Sequence, residues 1–596
     1  MDGEPDARTD APASPKTARR RALSAYLTAL VLPLAAAVLL LGIRASDLRV
    51  PFNYHGDAVS YAFLVKSIVD HGWYLSNPDL GAPGGLEMHD FPYADQLHLM
   101  VIKAMSVFSH DWALLFNLYF LIGFPLVALS ALVALRAFRV PFGPALVSSV
   151  LYAFLPSRLM RGEEHIFLQA FFQVPLAMMV VLWVCGDDPP LVSDRPGGGL
   201  SLQLTSRRAL ASLLVCALTA TTGLYYAFFT GVLLVLGGGW ASAEHRSWRN
   251  LVAGLALTGT MAGVMGVAGL PTIVYRIRHG RNAEVAIRGP AEAELHGATL
   301  TSMVLPVGGH RIPQLRRIRD GYNQTSPVPA EGSASALGLV GSVGLVVLLG
   351  AVVYRRNRAP EPLWRSLSVL NLLSLALATV GGLGALFAIF VTPQIRAYKR
   401  INVVVGFFAL FAVALLLERL CRRYPRVGLV AIPLVLAVGL FDQVTAEATR
   451  PDHDTQVEYA GDAAFVRRIE GMVPASSMIF QLPYLSFPEA PPVAQMIDYE
   501  PLRLYLHSQQ LRWSYPTMRG RPGDLWLRQV SSRPPTALVE AVSAAGFAGI
   551  VIDRFGYDDK GQAIESALAA QLGSPRATSP NDRFVFFDAH PRRDLR

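Results

Sequence analysis

From residue 23 to residue 442 the chain alternates long apolar runs with short polar turns, most of them basic. Several runs pass the ~18 apolar residues that mark a membrane-spanning helix. They predict spans at about 23–43, 112–135, 142–157, 166–185, 251–275, 336–354, 367–391, 401–417 and 427–442. Residues 209–239 are apolar throughout. At 1.5 Å per residue they would form a helix of about 46 Å, too long for a ~30 Å hydrocarbon core. Arg207 and Arg208 precede this run, and Arg246 and Arg249 follow it, so both ends belong on one side. A hairpin turning near "TTGLYY" (221–226) meets both conditions and brings the expected number of spans to eleven.

Orientation follows from Lys and Arg in short loops. Residues 1–22 are polar, carry Lys16, Arg19, Arg20 and Arg21, and read as a disordered cytoplasmic arm. The apolar run after them exceeds the core of a cleaved signal peptide, which makes it a retained anchor. Every short loop then assigned to the inside is basic, from Arg136 and Arg139 to "YRRNRAPEPLWR" and "ERLCRRYPR". Outer loops fall at 45–110 and 276–335, and residues 443–596 lie outside. This tail changes character: short β-like runs ("SMIFQLP", "AGIVIDRF", "RFVFFDA") alternate with helical patterns such as "PTALVEAVSAAGF". The expected fold is an α-helical polytopic membrane domain over 23–442, followed by a soluble α/β domain.

Composition agrees. Hydrophobic residues make up 52% and charged residues 16%, against ~25% charged in soluble domains. The net charge of +9 sits beside apolar spans, where topology and anionic lipid account for it, so nucleic-acid binding is set aside. Cys185, Cys216 and Cys421 form no CxxC pair and imply neither a disulfide framework nor a thiolate metal site.

Three outer segments are basic where topology gives them no reason to be. The turn after the third span holds Arg158 and Arg161, and "IRAYKR" holds Arg396, Lys399 and Arg400. The loop from Arg276 onward holds several more. Cations retained at the outer boundary suit an anionic lipid headgroup, because Arg binds phosphate oxygens in a fork and Lys adds a point charge. Arg158, Arg161, Arg276, Arg396, Lys399 and Arg400 are therefore candidate phosphate ligands.

The first outer loop supplies acidic groups. Tyr61, Leu64, Val65 and Ile68 recur at helical spacing, so 58–70 reads as an amphipathic helix on the membrane surface, with Asp57 at or near its N-cap. Capping is one role for that carboxylate. The other is general base: a carboxylate partly desolvated beside apolar surface can take the proton of an attacking hydroxyl. Glu163 and Glu164, in the neighbouring outer turn, could orient the acceptor. Tyr54, His55, His165 and Tyr225 are candidate acceptor or sugar contacts, although interfacial anchoring suits Tyr225 and Tyr226 better. His55 with Asp57, or Asp90 or Asp95 with His98, would give a mixed N/O metal site. No HExxH or tight His/Asp triplet supports it, so no metal and no cofactor is required.

The acidic residue of "NYHGDAVSYA", the "RGEEHIFLQ" turn and "IRAYKR" before the tenth span together resemble the GT-C superfamily of integral-membrane glycosyltransferases. The resemblance covers about residues 25–442. It implies inverting transfer on the outer face from a polyprenyl-phosphate-linked sugar to a lipid or glycan acceptor, in cell-envelope polysaccharide synthesis. It also implies the bacterial inner membrane, a first-loop carboxylate as base, and basic residues on the lipid phosphate. Some members carry adjacent acidic residues in that loop, whereas Asp57 stands between Gly56 and Ala58. Two other readings are a lipid-linked sugar flippase and a non-catalytic envelope-assembly protein. A transporter should place ionisable groups inside its spans, and the apolar segments here are nearly free of them.

Overall fold

The computed structural model describes residues 15–43, 47–195, 199–326, 334–353, 361–445 and 453–589. Among these, six helices are each long and apolar enough to cross a membrane: Ala22–Leu40, Trp112–Ala137, Leu224–His245, Arg249–Ala268, Tyr398–Arg423 and Pro425–Gln443. A seventh crossing arises if Phe142–Gln169 and Gln173–Val184, joined at a bend of 67°, count as one. Gly338–Val353 and Pro362–Ala378 are shorter apolar helices. The chain is a multi-pass membrane protein.

Several expectations are met and several are redrawn. The hairpin is present as Arg207–Ala220 and Leu224–His245. The break falls at Gly223, whose φ of 132° is open to glycine and strained for other residues. The span expected at 367–391 is broken instead. Its helix ends at Ala378 and a second one runs over Leu383–Phe390, with the intervening Gly381 at a φ of 72°, outside the helical region. The pair expected at 142–157 and 166–185 is the bent pair, interrupted by a 3-10 turn over Gly162–His165. The first helix begins at Pro15, inside the arm expected to be disordered, and residues 1–14 lie outside the described residues.

The tail builds a five-stranded sheet, three of whose strands fall on the runs singled out from sequence. Its order is Arg512–Trp513, Met478–Leu482, Phe547–Asp553, Phe584–Asp588, Ala577–Thr578. The first two pairings are parallel and the last two antiparallel. The central strand Phe547–Asp553 is buried along its whole length, which explains its continuous run of apolar side chains. Leu538, Val542 and Leu568, from two helices, cover one face.

This sheet does not stand apart from the membrane domain. The long loop 45–110 joins its edge: Trp513 N–H donates to the Asp79 carbonyl at 2.7 Å, and Ala82 N–H to the Trp513 carbonyl at 2.9 Å. Arg521 forks onto Asp90 at 2.6 and 2.9 Å. Trp112, at the start of a membrane helix, donates its indole N–H to the Leu506 carbonyl at 2.9 Å. The helix expected on the membrane surface, observed as Asp57–His71, is buried from Ala58 to Ile68 apart from Tyr61. Tyr61 packs on Phe167 of the bundle, whereas Phe63 packs on Phe487 of the tail. With protein on both sides, the helix is an internal layer and not a surface one.

A buried ion cluster within the tail meets the first loop at this junction through Tyr54. The fully buried Arg503 pairs with Asp462 at 2.8 Å, Glu458 at 3.0 Å and Glu500 at 3.4 Å. Arg583 bonds Glu500 and Asp553, each at 2.7 Å. The Tyr54 ring lies 4.4 Å beneath the Arg503 guanidinium, and its hydroxyl donates to Asp462 at 3.1 Å. Removing one partner of a buried pair strands the others, at about 3–5 kcal/mol. Arg503→Met should lower the melting midpoint in detergent and expose the tail to protease. An unchanged midpoint would show that the cluster does not hold the junction.

Candidate active site

The helix that begins at Asp57 fixes the first functional group. Gly56 precedes it with φ 53° and ψ −134° and offers no side-chain cap. The Asp57 carboxylate takes no hydrogen bond in the helix N-terminus among the described residues, so the capping role is not the one it plays. It points instead into a cavity of about 420 Å³. There it lies 3.6 Å from His165 Nε2, with 48% of its side chain exposed to the opening.

Seven residues singled out from sequence meet in this cavity: Asp57, Arg161, Glu164, His165, Arg396, Lys399 and Arg400. They arrive from three separate places. The long loop 45–110 brings Asp57. The interrupted helix after 153 brings Arg161, Glu164 and His165. The turn before the helix Asn402–Arg423 brings Arg396, Lys399 and Arg400. Glu164 is fixed by Asn53, whose side-chain amide donates to it at 3.2 Å. Arg400 stacks its guanidinium 4.3 Å from the ring centroid of Tyr225, so Tyr225 supports a cation at the cavity.

Burial pushes the Asp57 carboxyl up to about 6; the Glu164 charge adds to the rise, and Arg400 opposes it. The half-exposed side chain and this desolvation are consistent, because the exposed half faces a walled crevice and not open water. Among the described residues neither Arg161 nor Arg400 closes an ion pair with a carboxylate. The cavity thus brings a carboxylate together with a group of cations.

Other sequence candidates go elsewhere. Arg158 is fully buried, with its guanidinium on the carbonyls of Phe120 (2.8 Å) and Gln169 and 4.1 Å from the Phe124 ring. It ties helices together and does not face the cavity. Glu163 is also fully buried, accepting from Asn53 N–H at 2.9 Å, so it shapes the loop that carries Asp57. Tyr54 belongs to the Arg503 cluster. His55 faces Glu458 and Glu500, each at 3.5 Å. Arg276 donates to the Asp90 carbonyl at 3.3 Å, outside the cavity.

The groups weighed for a metal are dispersed as well. Asp90 is held by Arg521, and the buried His98 faces the Tyr119 hydroxyl and the Thr222 carbonyl. Among the described residues no group of three or more His, Cys, Asp or Glu is placed to hold a metal ion.

Sequence reading missed His296. It lines the cavity, and its carbonyl accepts from Lys399 N–H at 3.1 Å. Burial, with Lys399 and Arg396 nearby, pushes its pKa down to about 4, which keeps the ring neutral. Nothing in "ELHGATL" marks it. A β-bridge between Ala298 and Thr379 brings it to the site, and that pairing has no local signature.

A second, apolar cavity of about 530 Å³ lies between the helices Leu224–His245 and Arg249–Ala268 and the short helix Leu383–Phe390. Phe228, Met261, Phe387 and Ile395 line it. Its wall comes near that of the charged cavity: the Phe228 ring lies 6.0 Å from that of Tyr398, which stands between Ala397 and Lys399. Phe228 sits one helical turn after Tyr225, which carries Arg400, and Ile395 directly precedes Arg396.

No family model matches the sequence, and no curated protein does. Solved structures align over most of the chain. A crystal structure of the Archaeoglobus fulgidus oligosaccharyltransferase, in complex with Zn and sulfate, aligns with 94% of this chain and 73% of its own, at 12% identity and a TM-score of 0.44. The same organism's AglB, in complex with an inhibitory peptide and a dolichol-phosphate, gives 96% and 75% coverage, 11% identity and 0.45. The mycobacterial arabinofuranosyltransferase AftD gives 15% identity and 0.43 over 90% of this chain, which spans 35% of AftD's length. By name these are oligosaccharyltransferases and an arabinofuranosyltransferase. At these identities and TM-scores the likeness assigns no role, and the chemistry rests on the cavity residues themselves.

Proposed function

We propose that this protein is a membrane glycosyltransferase that moves a sugar from a polyprenyl-phosphate donor to a hydroxyl of a lipid or glycan acceptor. The observation that carries this reading is the meeting, in one cavity of about 420 Å³, of Asp57, Glu164 and His165 with Arg161, Lys399 and Arg400. The nearby apolar cavity is suited to the first isoprene units of the donor, which leaves its phosphate at the Arg400 end.

In this reading Asp57 takes the acceptor proton as the acceptor oxygen bonds to the anomeric carbon. The bond from that carbon to the phosphate oxygen breaks, and polyprenyl phosphate leaves with the electron pair. Attack from the Asp57 side, with phosphate held opposite, inverts the anomeric configuration. Arg161, Lys399 and Arg400 stabilise the charge that grows on the leaving oxygen, the kind of electrostatic help that is worth most in a water-poor site. Glu164 accepts from a second acceptor or sugar hydroxyl, and neutral His165 steadies Asp57. This chemistry asks for no cofactor. The reading places the N-terminus in the cytoplasm of a bacterium, eleven apolar segments in its inner membrane, and the cavity and tail on the periplasmic face, where envelope polysaccharide is built.

Transfer from labelled polyprenyl-phosphate sugars, measured in proteoliposomes, should fall at least about 10²-fold in Asp57→Asn, the scale of general-base catalysis. The folded pKa of Asp57 lies above its ordinary value of 3.8. Ionised Asp57 therefore opposes folding above pH 6, and the Asn variant should melt no lower than wild type there. Full transfer by a correctly inserted Asp57→Asn protein would remove Asp57 as the base.

The base must be unprotonated to act. Wild-type kcat/KM should therefore rise with pH through about 6 and level off above it. Residual activity in Asp57→Asn should lack that limb. A flat wild-type profile between pH 5 and 8 would contradict the assignment. A reporter active only in the periplasm, fused after residue 443, should be active; silence would reverse the topology.

A further inference from the structure

Arg396 lines the cavity, yet it is spoken for. One terminal nitrogen donates to Glu292 at 2.9 Å and the other to Glu489 at 2.8 Å. Glu489 also receives Arg288, at 2.6 and 2.5 Å to its two oxygens. Two arginines and two carboxylates cancel, so this cluster offers a donor phosphate no net attraction. Its arrangement is what matters. Glu292 and Arg288 belong to the loop 276–335, Arg396 to the basic turn, and Glu489 to the tail, roughly a hundred residues further along the chain.

The basic turn has little structure of its own. Residues 392–397 form neither helix nor strand, and a single 3-10 turn, Tyr398–Ile401, carries Lys399 and Arg400. Its position is set from outside: by Arg396 on Glu292 and Glu489, by Lys399 N–H on the His296 carbonyl at 3.1 Å, and by Gln394 on the Ala286 carbonyl at 3.4 Å. Of these anchors only Glu489 comes from the tail. The tail holds Glu489 firmly. Arg519 donates to Ser486 Oγ and to the Pro488 carbonyl, each at 2.8 Å, and to the Glu489 carbonyl at 3.2 Å. Glu489 itself adopts φ 56°, a left-handed conformation that a non-glycine residue keeps only when its surroundings impose it.

We infer that Glu489 is a positioning residue for the donor site: it clasps Arg396 and Arg288, and so sets where Lys399 and Arg400 stand over the cavity. The inference rests on the donor reading of that cavity. Ion pairs that keep up to about a third of their side chains in water add modest stability, and charge-assisted bonds to a planar guanidinium give direction. The clasp therefore acts on geometry more than on folding. It also gives the tail a part in the transfer site: without docking, the basic turn loses its tail anchor.

The test measures binding of undecaprenyl phosphate, without sugar, to the full-length protein in nanodiscs, beside its melting midpoint. Glu489→Gln keeps the shape and removes the charge; it should weaken binding at least about five-fold, at the low end of couplings between sites, with little change in midpoint. Glu489→Asp, which keeps the charge, should recover part of the affinity. Glu565→Gln is the control, because it breaks a bidentate pair with Arg554 inside the tail, at 2.6 and 2.8 Å, and should leave binding unchanged. Arg400→Ala reports on the donor site alone. Loss of binding in Arg400→Ala with wild-type affinity in Glu489→Gln would overturn the clasp and leave the donor site standing. Wild-type affinity in both, or no binding by wild type, would overturn both. Tighter binding in Glu489→Gln would overturn the clasp by making Glu489 a competitor of the phosphate.

Discussion

Everything at the cavity depends on the double burial of the helix Asp57–His71. Its side chains from Ala58 to Ile68 are covered by the membrane bundle on one side and by the tail on the other, with Tyr61 against Phe167 and Phe63 against Phe487. A helix packed on both sides can neither roll nor slide without opening voids, and close-packed interiors resist that. Its first residue, the one at the cavity mouth, is consequently held in place. The Asp57 carboxylate is thus positioned by apolar contacts far from it, and by a tail that begins nearly four hundred residues later.

The same folding sorts the arginines and the lysine of these segments into two groups with opposite uses. Arg158, Arg396 and Arg503 are consumed internally: on backbone carbonyls, on Glu292 and Glu489, and on Asp462, Glu458 and Glu500. Arg161 and Arg400 are left facing the cavity, with Lys399 buried beside them. Such sorting follows from the expense of a buried charge, which must find a partner or keep access to solvent. Arg158 and Arg161 lie three residues apart on one short helix. One turns inward to Phe120 and Phe124, and the other stays at the opening.

Much of this could be read along the chain. Hydrophobic run length located the apolar helices. The excess length of 209–239, with arginines at both ends, foretold the break at Thr221–Gly223. The tail strands fell on their β-branched and aromatic runs. Misplaced basic residues led to Arg161, Lys399 and Arg400, because cations where topology does not need them demand another reason. The same logic could not separate Arg158 from Arg161, or Arg396 from Arg400, since the difference lies in neighbours distant in sequence. His296 and Glu489 carried no local mark. One is delivered by a β-bridge to Thr379, and the other by tail docking.

By itself, then, the sequence determined that this chain crosses a membrane repeatedly, that 209–239 forms a hairpin, and that an α/β unit follows. These properties are local, since hydropathy, periodicity and charge act over one helix or one turn. Tertiary structure alone decided which of the polar groups face a common cavity, that Asp57 begins a buried layer in place of a surface helix, and that the tail completes the junction through Arg503 and Glu489. Those outcomes hang on contacts between residues tens to hundreds of positions apart, and a buried charge is compensated only by whichever partner the fold delivers to it.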